Sequence, residues 1–332
     1  MASLRWSEVE RAREIVGRHL KPSRLVEAVS LSRATGARVF LKLESEQPTG
    51  SFKPRGAITA LACNLERGPV AGVVAASTGN HGAATAYAAR LLGVPATVFL
   101  PAGPNPVKRQ RIAELGAHIV EGGRDLVEAL DRAALFARER GLYFMEDGRD
   151  VDMRPGTATI ACEALEQLPD ADVLFVPMGD TTLIRGVAFA AKHLKPGIRI
   201  IGVQAERAPA YTLSWRAGKA IATETCDTIA DGLATRRPLE ENVRELRELV
   251  DDVLLVSEDE MLAAIRRLHL DEQVVAEPAG AATTAALLQE YTTPTSAPNS
   301  GAQTYGTFAG KNVVLLVTGS NVAPEVLRAA MS

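Results

Sequence analysis

The chain has 332 residues, 46% of them apolar and 23% charged, with a formal net charge of −3. That length exceeds one small core and fits two sub-domains or one large α/β unit, while the near-balanced charge favours neither nucleic acid nor an anionic membrane surface. No apolar run reaches the roughly 18 residues of a membrane span, and three scattered cysteines (Cys63, Cys162, Cys226) without metal spacing argue against zinc and fit a reducing cytoplasm.

In chain order, "MASLRWSEVERAREIV" reads as an amphipathic helix and not as a signal peptide, with Ser7 and Glu10 at capping-box spacing. Strand-like β-branched runs follow at 38–44, 72–77, 96–100, 117–121, 172–178, 199–204, 251–257 and 312–318. Helical patterns lie between them at 54–66, 80–92, 105–115, 124–140, 157–168, 182–194, 258–269 and 278–290. Apolar strands alternating with helices predict mostly parallel sheets covered on both faces. The strands of 72–121 form a compact set that fits a small sheet of its own. The segment 291–310, rich in Pro, Ser, Thr and Gly, reads as a surface loop. No internal repeat is present.

Four motifs fall at strand ends, where open α/β sheets bind ligands. In "TGSFKPRGA" Lys53 stands in an apolar, turn-rich setting, in a chain with eight lysines against 29 arginines. A desolvated lysine there can act as a Schiff-base nucleophile; the plainer reading is a surface lysine before a helix that has Pro54 in its first turn. In "ASTGNHGAATAYAA" (76–89), Gly79 and Gly82 admit close backbone approach and Asn80 offers a directed amide. The plainer reading is a turn with Asn near a helix cap. His81 is an acid or base, or a buried hydrogen-bonded structural histidine, the commoner identity. In "VPMGDTTLIRGVA" (176–188), Gly179, Thr181 and Thr182 precede an apolar helix, whose N–H groups with two hydroxyls suit a phosphate; an Asp/Thr cap with nothing bound is the alternative. In "VVLLVTGSNVAPE", Thr318 and Ser320 end an apolar strand. A phosphate site, a nucleophilic lysine and a hydroxyl for a heteroaromatic nitrogen together match the demands of pyridoxal phosphate.

"SFKPRGA" (51–57) resembles the S-F-K-x-R-G-A motif of the fold-type II pyridoxal-phosphate enzymes, in the threonine/serine dehydratase and serine racemase branch. "STGNHG" (77–82) is similar to that family's S-x-G-N-H segment, and "DTIADGLA" (227–234) and "EPAGA" (277–281) resemble two further segments in the same order. The resemblance covers nearly the whole chain. It implies two sub-domains like those of the tryptophan synthase β-subunit, a large one of 1–56 plus 147–332 and a small one of 57–146, with the active site in the cleft between them. It implies pyridoxal 5'-phosphate as cofactor, held by Lys53, which after exchange with substrate removes the α-proton. Phe52 packs by the ring, Asn80 bonds the ring oxygen, and Gly179, Asp180, Thr181 and Thr182 hold the phosphate. Thr318 stands beside the pyridine nitrogen as a neutral hydroxyl. Ser77, Thr78, Gly79, Asn80 and His81 receive the substrate carboxylate, and Gly232 and Glu277 line the pocket.

The activity implied is dehydration and deamination of a 3-hydroxy amino acid to a 2-oxo acid and ammonia. Amino-acid racemisation is the alternative, with Thr78 placed as the second catalytic hydroxyl; β-replacement is another, and a non-catalytic binding protein on the same fold is the rival outside the class. A nicotinamide dehydrogenase is disfavoured because no G-x-G-x-x-G follows an early strand. Four departures from the family matter. Its phosphate loop is usually four glycines, and an ionised Asp180 beside a phosphate is unfavourable, so Asp180 points away as a cap or the threonine hydroxyls take part in binding. Thr212 replaces the third cation ligand after Glu206 and Ala210, so no tight metal site is expected. The segment 145–159 adds Asp147, Arg149, Asp150, Asp152 and Arg154; charge runs of this kind usually form a solvated face, and the sharper reading is recognition of a charged substrate side chain. The sequence ends after the helix that follows "TGSN", so no regulatory domain and no isoleucine feedback are expected. A small amino-acid substrate, a homodimer, and no nucleic-acid or membrane partner complete the expectations.

Overall fold

A computed structural model describes residues 4–77, 79–104, 106–124, 126–292 and 308–332. In chain order its strands are β1 (Leu25–Glu27), β2 (Arg38–Leu43), β3 (Val73–Ala76), β4 (Ala96–Leu100), β5 (His118–Glu121), β6 (Tyr143–Phe144), β7 (Val173–Pro177), β8 (Arg199–Ala205), β9 (Asp252–Val256) and β10 (Asn312–Val317). Two compact units divide the chain. One comprises residues 1–22, 46–161 and 180–190; the other comprises 23–45, 162–179 and 191–332. The unit that contains 57–146 also takes in 1–22, 46–56, 147–161 and 180–190, where the sequence reading set the small domain at 57–146.

The first unit holds a four-stranded sheet in the order β5-β4-β3-β6, parallel throughout. Alternate residues of a strand face opposite sides, and here both sides are apolar. Val98 and Leu100 of β4 pack with Ala83 and Ala86 of the helix Asn80–Leu92. Phe99, with Val74 and Ala76 of β3, packs against Ala129, Ala133 and Ala137 of the helix Leu126–Arg140. Small alanines on the helix faces let backbone and sheet approach closely. A second cluster joins Ile15 and Val16 of the N-terminal helix Trp6–Gly17 to Ile58 and Leu61 of the helix Lys53–Arg67.

The second unit holds a six-stranded sheet in the order β1-β2-β10-β7-β8-β9, parallel except for the antiparallel β1–β2 pair. The last strand in the chain is central, pairing Leu315 with Leu41 on one side and Phe175 on the other. One face carries Val39, Leu41, Phe175, Ile201, Val203, Leu254 and Leu315 into a core with Met261, Ile265 and Leu268 of the helix Glu258–Asp271 and Leu287 of the helix Pro278–Thr292. The opposite-face residues Leu174, Val176, Ile200, Val314 and Leu316 are buried too, which accounts for the continuous apolar runs in the sequence.

The predicted strands and helices are present, with ends shifted by a few residues. Among the described residues, five further strands and α-helices were not predicted. β1 and β6 are three and two residues long, too short for a periodic signal. The helix Val29–Thr35 is seven residues, and Glu240–Leu249 buries only Asn242, Val243 and Leu246 in a charged sequence. The helix Ala210–Ala217 completes the set. The expected capping box at Ser7 and Glu10 is corrected: the first helix starts two residues earlier, with the Arg5 N–H donating to Glu8 Oε2 at 2.8 Å. A capping box does form at Ser257 and Glu260. The predicted loop 291–310 lies mostly outside the described residues, and the helix Pro278–Thr292 takes its first two positions.

Candidate active site

Lys53 opens the helix Lys53–Arg67, with Pro54 in the first turn, where its missing N–H costs nothing. Its side chain is only 12% exposed. The ammonium donates to a carboxylate oxygen of Asp147 and to Asp180 Oδ2 at 3.0 Å, and lies 5.0 Å from the Phe52 ring centroid. Burial pulls this group toward the neutral amine. The two carboxylates overcome it, so the lysine pKa is raised above its ordinary value. For Asp180, burial favours the acid, but the Lys53 charge and the Thr182 N–H win and hold the carboxyl below its usual range.

Asp180 begins the turn into the helix Thr182–Leu194. Its Oδ1 accepts the Thr182 N–H at 2.8 Å, the side-chain cap that the sequence allowed. It does not point away from the lysine, however, because its other oxygen is the one that pairs with Lys53. Thr181 adopts φ 77°, a left-handed conformation that is uncommon for a β-branched residue. Thr182 is 1% exposed, and its Oγ1 is buried without a hydrogen-bond partner. One turn on, the Arg185 guanidinium is buried, with Nε donating to Thr181 Oγ1 at 3.1 Å and Nη2 to the Gly148 carbonyl at 3.3 Å.

His81 and Asn80 lie in the first turn of the helix Asn80–Leu92. His81 is 5% exposed and its Nε2–H donates to the Met145 carbonyl at 2.9 Å. Its Nδ1 lies 3.8 Å from Asp147 and makes no hydrogen bond. The Gly79 N–H donates to Ser77 Oγ at 3.1 Å, tightening the turn before the helix. Thr78 lies outside the described residues.

The 179–182 loop spans the boundary of the two units, with Gly179 in the second. A Cβ on Gly179 would run into the Gly232 carbonyl, and one on Gly232 would lie 3.0 Å from Ala279. The Glu277 N–H donates to the Gly319 carbonyl at 2.9 Å, next to Thr318, which is 4% exposed at the end of β10. Sequence segments around 179, 232, 277 and 318 are thus neighbours within the second unit.

A sequence profile described as "Pyridoxal-phosphate dependent enzyme" matches residues 16–319. The chain belongs to that family. It is 36% identical to an L-threonine ammonia-lyase of Thermotoga maritima over 88% of this chain and 69% of that protein. It is 33% identical to the catabolic L-threonine dehydratase TdcB of Staphylococcus aureus, over 95% of this chain and 88% of that protein. Among solved structures, a maize serine racemase matches with a TM-score of 0.90 at 28% identity, covering 99% of this chain and 97% of that one. A pyridoxal 5'-phosphate-dependent aspartate racemase matches at 0.87 and 26% identity, covering 98% of each.

Pyridoxal phosphate is the family's cofactor, and the residues present fit it. A lysine in a mostly buried polar cluster can meet the aldehyde. A helix N-terminus with a buried, unpartnered hydroxyl at Thr182 and a buried arginine one turn on can meet the phosphate.

The charged segment 145–154 disperses. Asp147 reaches Lys53, Asp150 accepts from the Tyr143 hydroxyl, and Asp152 pairs with Arg67. Arg149 is 56% exposed and pairs with Glu146 at 2.9 Å, while Arg154 is buried. Thr212 spends both its N–H and its hydroxyl on Gln204 Oε1, at 2.9 and 2.8 Å. Two residues beside the predicted lysine and loop were not singled out from sequence. Asp147 sat in a charge run with nothing to single it out. Arg185 carried a signal that was available: an arginine interrupting an apolar helix directly after the loop.

Proposed function

We propose that the protein is a lyase that converts a 3-hydroxy amino acid of the threonine or serine type to a 2-oxo acid and ammonia. Water leaves in the elimination and re-enters when the released enamine hydrolyses, so the net products are the oxo acid and ammonia. The observation that carries the reading is the 36% identity to a protein named L-threonine ammonia-lyase over 88% of the chain, together with Lys53 in its motif and mostly buried between two carboxylates.

When bound, pyridoxal phosphate delocalises the electron pair left at the substrate Cα. The protein's residues supply the rest. Lys53 would hold the aldehyde carbon, and its amine, when free, would be the base for the Cα proton. Asp147 and Asp180 set how readily that amine gives up its own proton. Asn80 donates toward the ring oxygen, and Thr318 offers the ring nitrogen an uncharged hydroxyl. Residues 179–182 would hold the phosphate, and residues 77–81 would receive the substrate carboxylate. Cys63, Cys162 and Cys226 form no disulfide among the described residues, which supports a cytoplasmic setting, and we take the working state to be a homodimer, to be checked by light scattering.

Racemisation is the second reading, favoured by the likeness to the two solved racemases. Incubation with L-threonine and L-serine separates the readings: the lyase yields oxo acid and ammonia in equal amounts, and a racemase yields the epimerised or D-amino acid. The purified protein is expected to show a visible Schiff-base absorption band that Lys53→Ala abolishes. A band unchanged in Lys53→Ala, or neither product, would overturn the reading.

A further inference from the structure

We propose that Arg185 is a positioning residue for the cofactor phosphate, by which side chains of this loop, and not its backbone alone, select the phosphorylated aldehyde. This rests on the reading above and goes beyond it. The loop is poorly suited to an anion as far as Asp180 goes. That carboxylate is ionised, and it consumes the Thr182 N–H, one of the few helix N-terminal donors that an anion would use.

Three observations compensate. Arg185 places a buried permanent cation one turn from Asp180. Its Nε bond to Thr181 Oγ1 braces a threonine held at φ 77°, and its Nη2 bond to the Gly148 carbonyl fixes the guanidinium from a second side. The Thr182 hydroxyl is buried beside them with no hydrogen-bond partner among the described residues. A buried hydroxyl without a partner is costly unless a ligand supplies one. Thr157 Oγ1 donates to the Thr182 carbonyl at 3.0 Å and steadies that residue from its other side. Hydroxyl, cation and braced turn together make an anion cradle that can offset the lone carboxylate.

The test compares pyridoxal phosphate with pyridoxal, which carries the same aldehyde and no phosphate. Each is titrated into cofactor-stripped protein and binding is followed by the absorption band. Arg185→Ala is expected to weaken pyridoxal phosphate by about tenfold or more, as for loss of a charged hydrogen-bonding partner, with pyridoxal changed by less than about twofold. Thr182→Ala, which removes only the unpartnered hydroxyl, is expected to act in the same direction with the fold intact by circular dichroism. Arg185→Lys, which keeps the charge and loses the fork, is expected to recover part of the loss. Equal weakening of both aldehydes, or of neither, in both alanine variants overturns the role of Arg185. No band with either aldehyde on the unmodified protein overturns the cofactor reading itself, an outcome distinct from the other two.

Discussion

At the scale of single residues, the ordinary lysine value of 10.5 is displaced upward at Lys53 because two carboxylates outweigh burial. The sign follows directly. The ion-pair contribution to stability is fully present below the unfolded pKa and is lost as pH rises through the raised folded value. The amine, which is the form that attacks an aldehyde, is correspondingly scarce near neutrality in the cofactor-free protein. Asp147→Asn removes one of the two charges and is expected to move the pH profile of pyridoxal-phosphate capture toward lower pH, read as the rate of band formation across the neutral to alkaline range. A profile unmoved by Asp147→Asn would show that this carboxylate does not set the lysine's protonation. Lys53 itself was legible in the sequence from its motif. Asp147 was not, because it lies 94 positions away and local pattern carries no information on such a pairing.

At the scale of elements, the site is held by helices that touch through glycine. The helix Met153–Gln167 meets the helix Lys53–Arg67 at Gly156, where an added Cβ would strike the Arg55 carbonyl oxygen and lie 2.7 Å from Thr59 Oγ1. It meets the helix Thr182–Leu194 at Gly186, where a Cβ would lie 2.6 Å from the Arg154 carbonyl oxygen. These two contacts fix the starts of the helices that carry Lys53 and follow the Asp180–Thr182 turn. Gly156→Ala therefore overpacks a backbone contact and is expected to destabilise by about 1–3 kcal/mol or more. Gly17→Ala, at a helix end with nothing within 4 Å, is expected to be neutral or slightly stabilising. Thermal melting of the two variants side by side checks both, and a Gly156→Ala protein as stable as the Gly17→Ala one would refute the packing account. The helices themselves were readable because their apolar periodicity is strong: Asn80–Leu92 and Thr182–Leu194 start and end where the pattern places them. Glu240–Leu249 carries the same kind of signal in Val243, Leu246 and Leu249, set in a run of charged residues that masked it.

At the scale of the whole molecule, the central position of β10 makes the six-stranded sheet depend on a strand that comes last in the chain. β2 and β7 each pair with β10 and not with each other, so neither is fully hydrogen-bonded until residues more than a hundred positions later arrive. Such non-local pairing slows folding. Leu315, at the middle of β10 and fully buried, is expected to cost about 2–5 kcal/mol when changed to alanine, with cofactor affinity measured on the folded fraction little altered. Denaturant unfolding followed by circular dichroism measures it; a loss below about 1 kcal/mol would mean the sheet centre repacks freely.

The sequence by itself determined the parallel α/β class, most strands and helices and the cofactor, and it singled out Lys53. Each of these rests on local signals: side-chain period, turn chemistry, or a short motif whose residues are adjacent in the chain. Only the tertiary structure decided the order of the strands, the pairing of Lys53 with Asp147 and Asp180, and the bracing of Thr181 by Arg185. The physical reason is the same in each case. A strand order and an ion pair between groups 94 or 127 positions apart are set by how apolar faces stack, and only that packing brings Lys53 and Asp180 close enough for each charge to outweigh burial and shift the other's protonation.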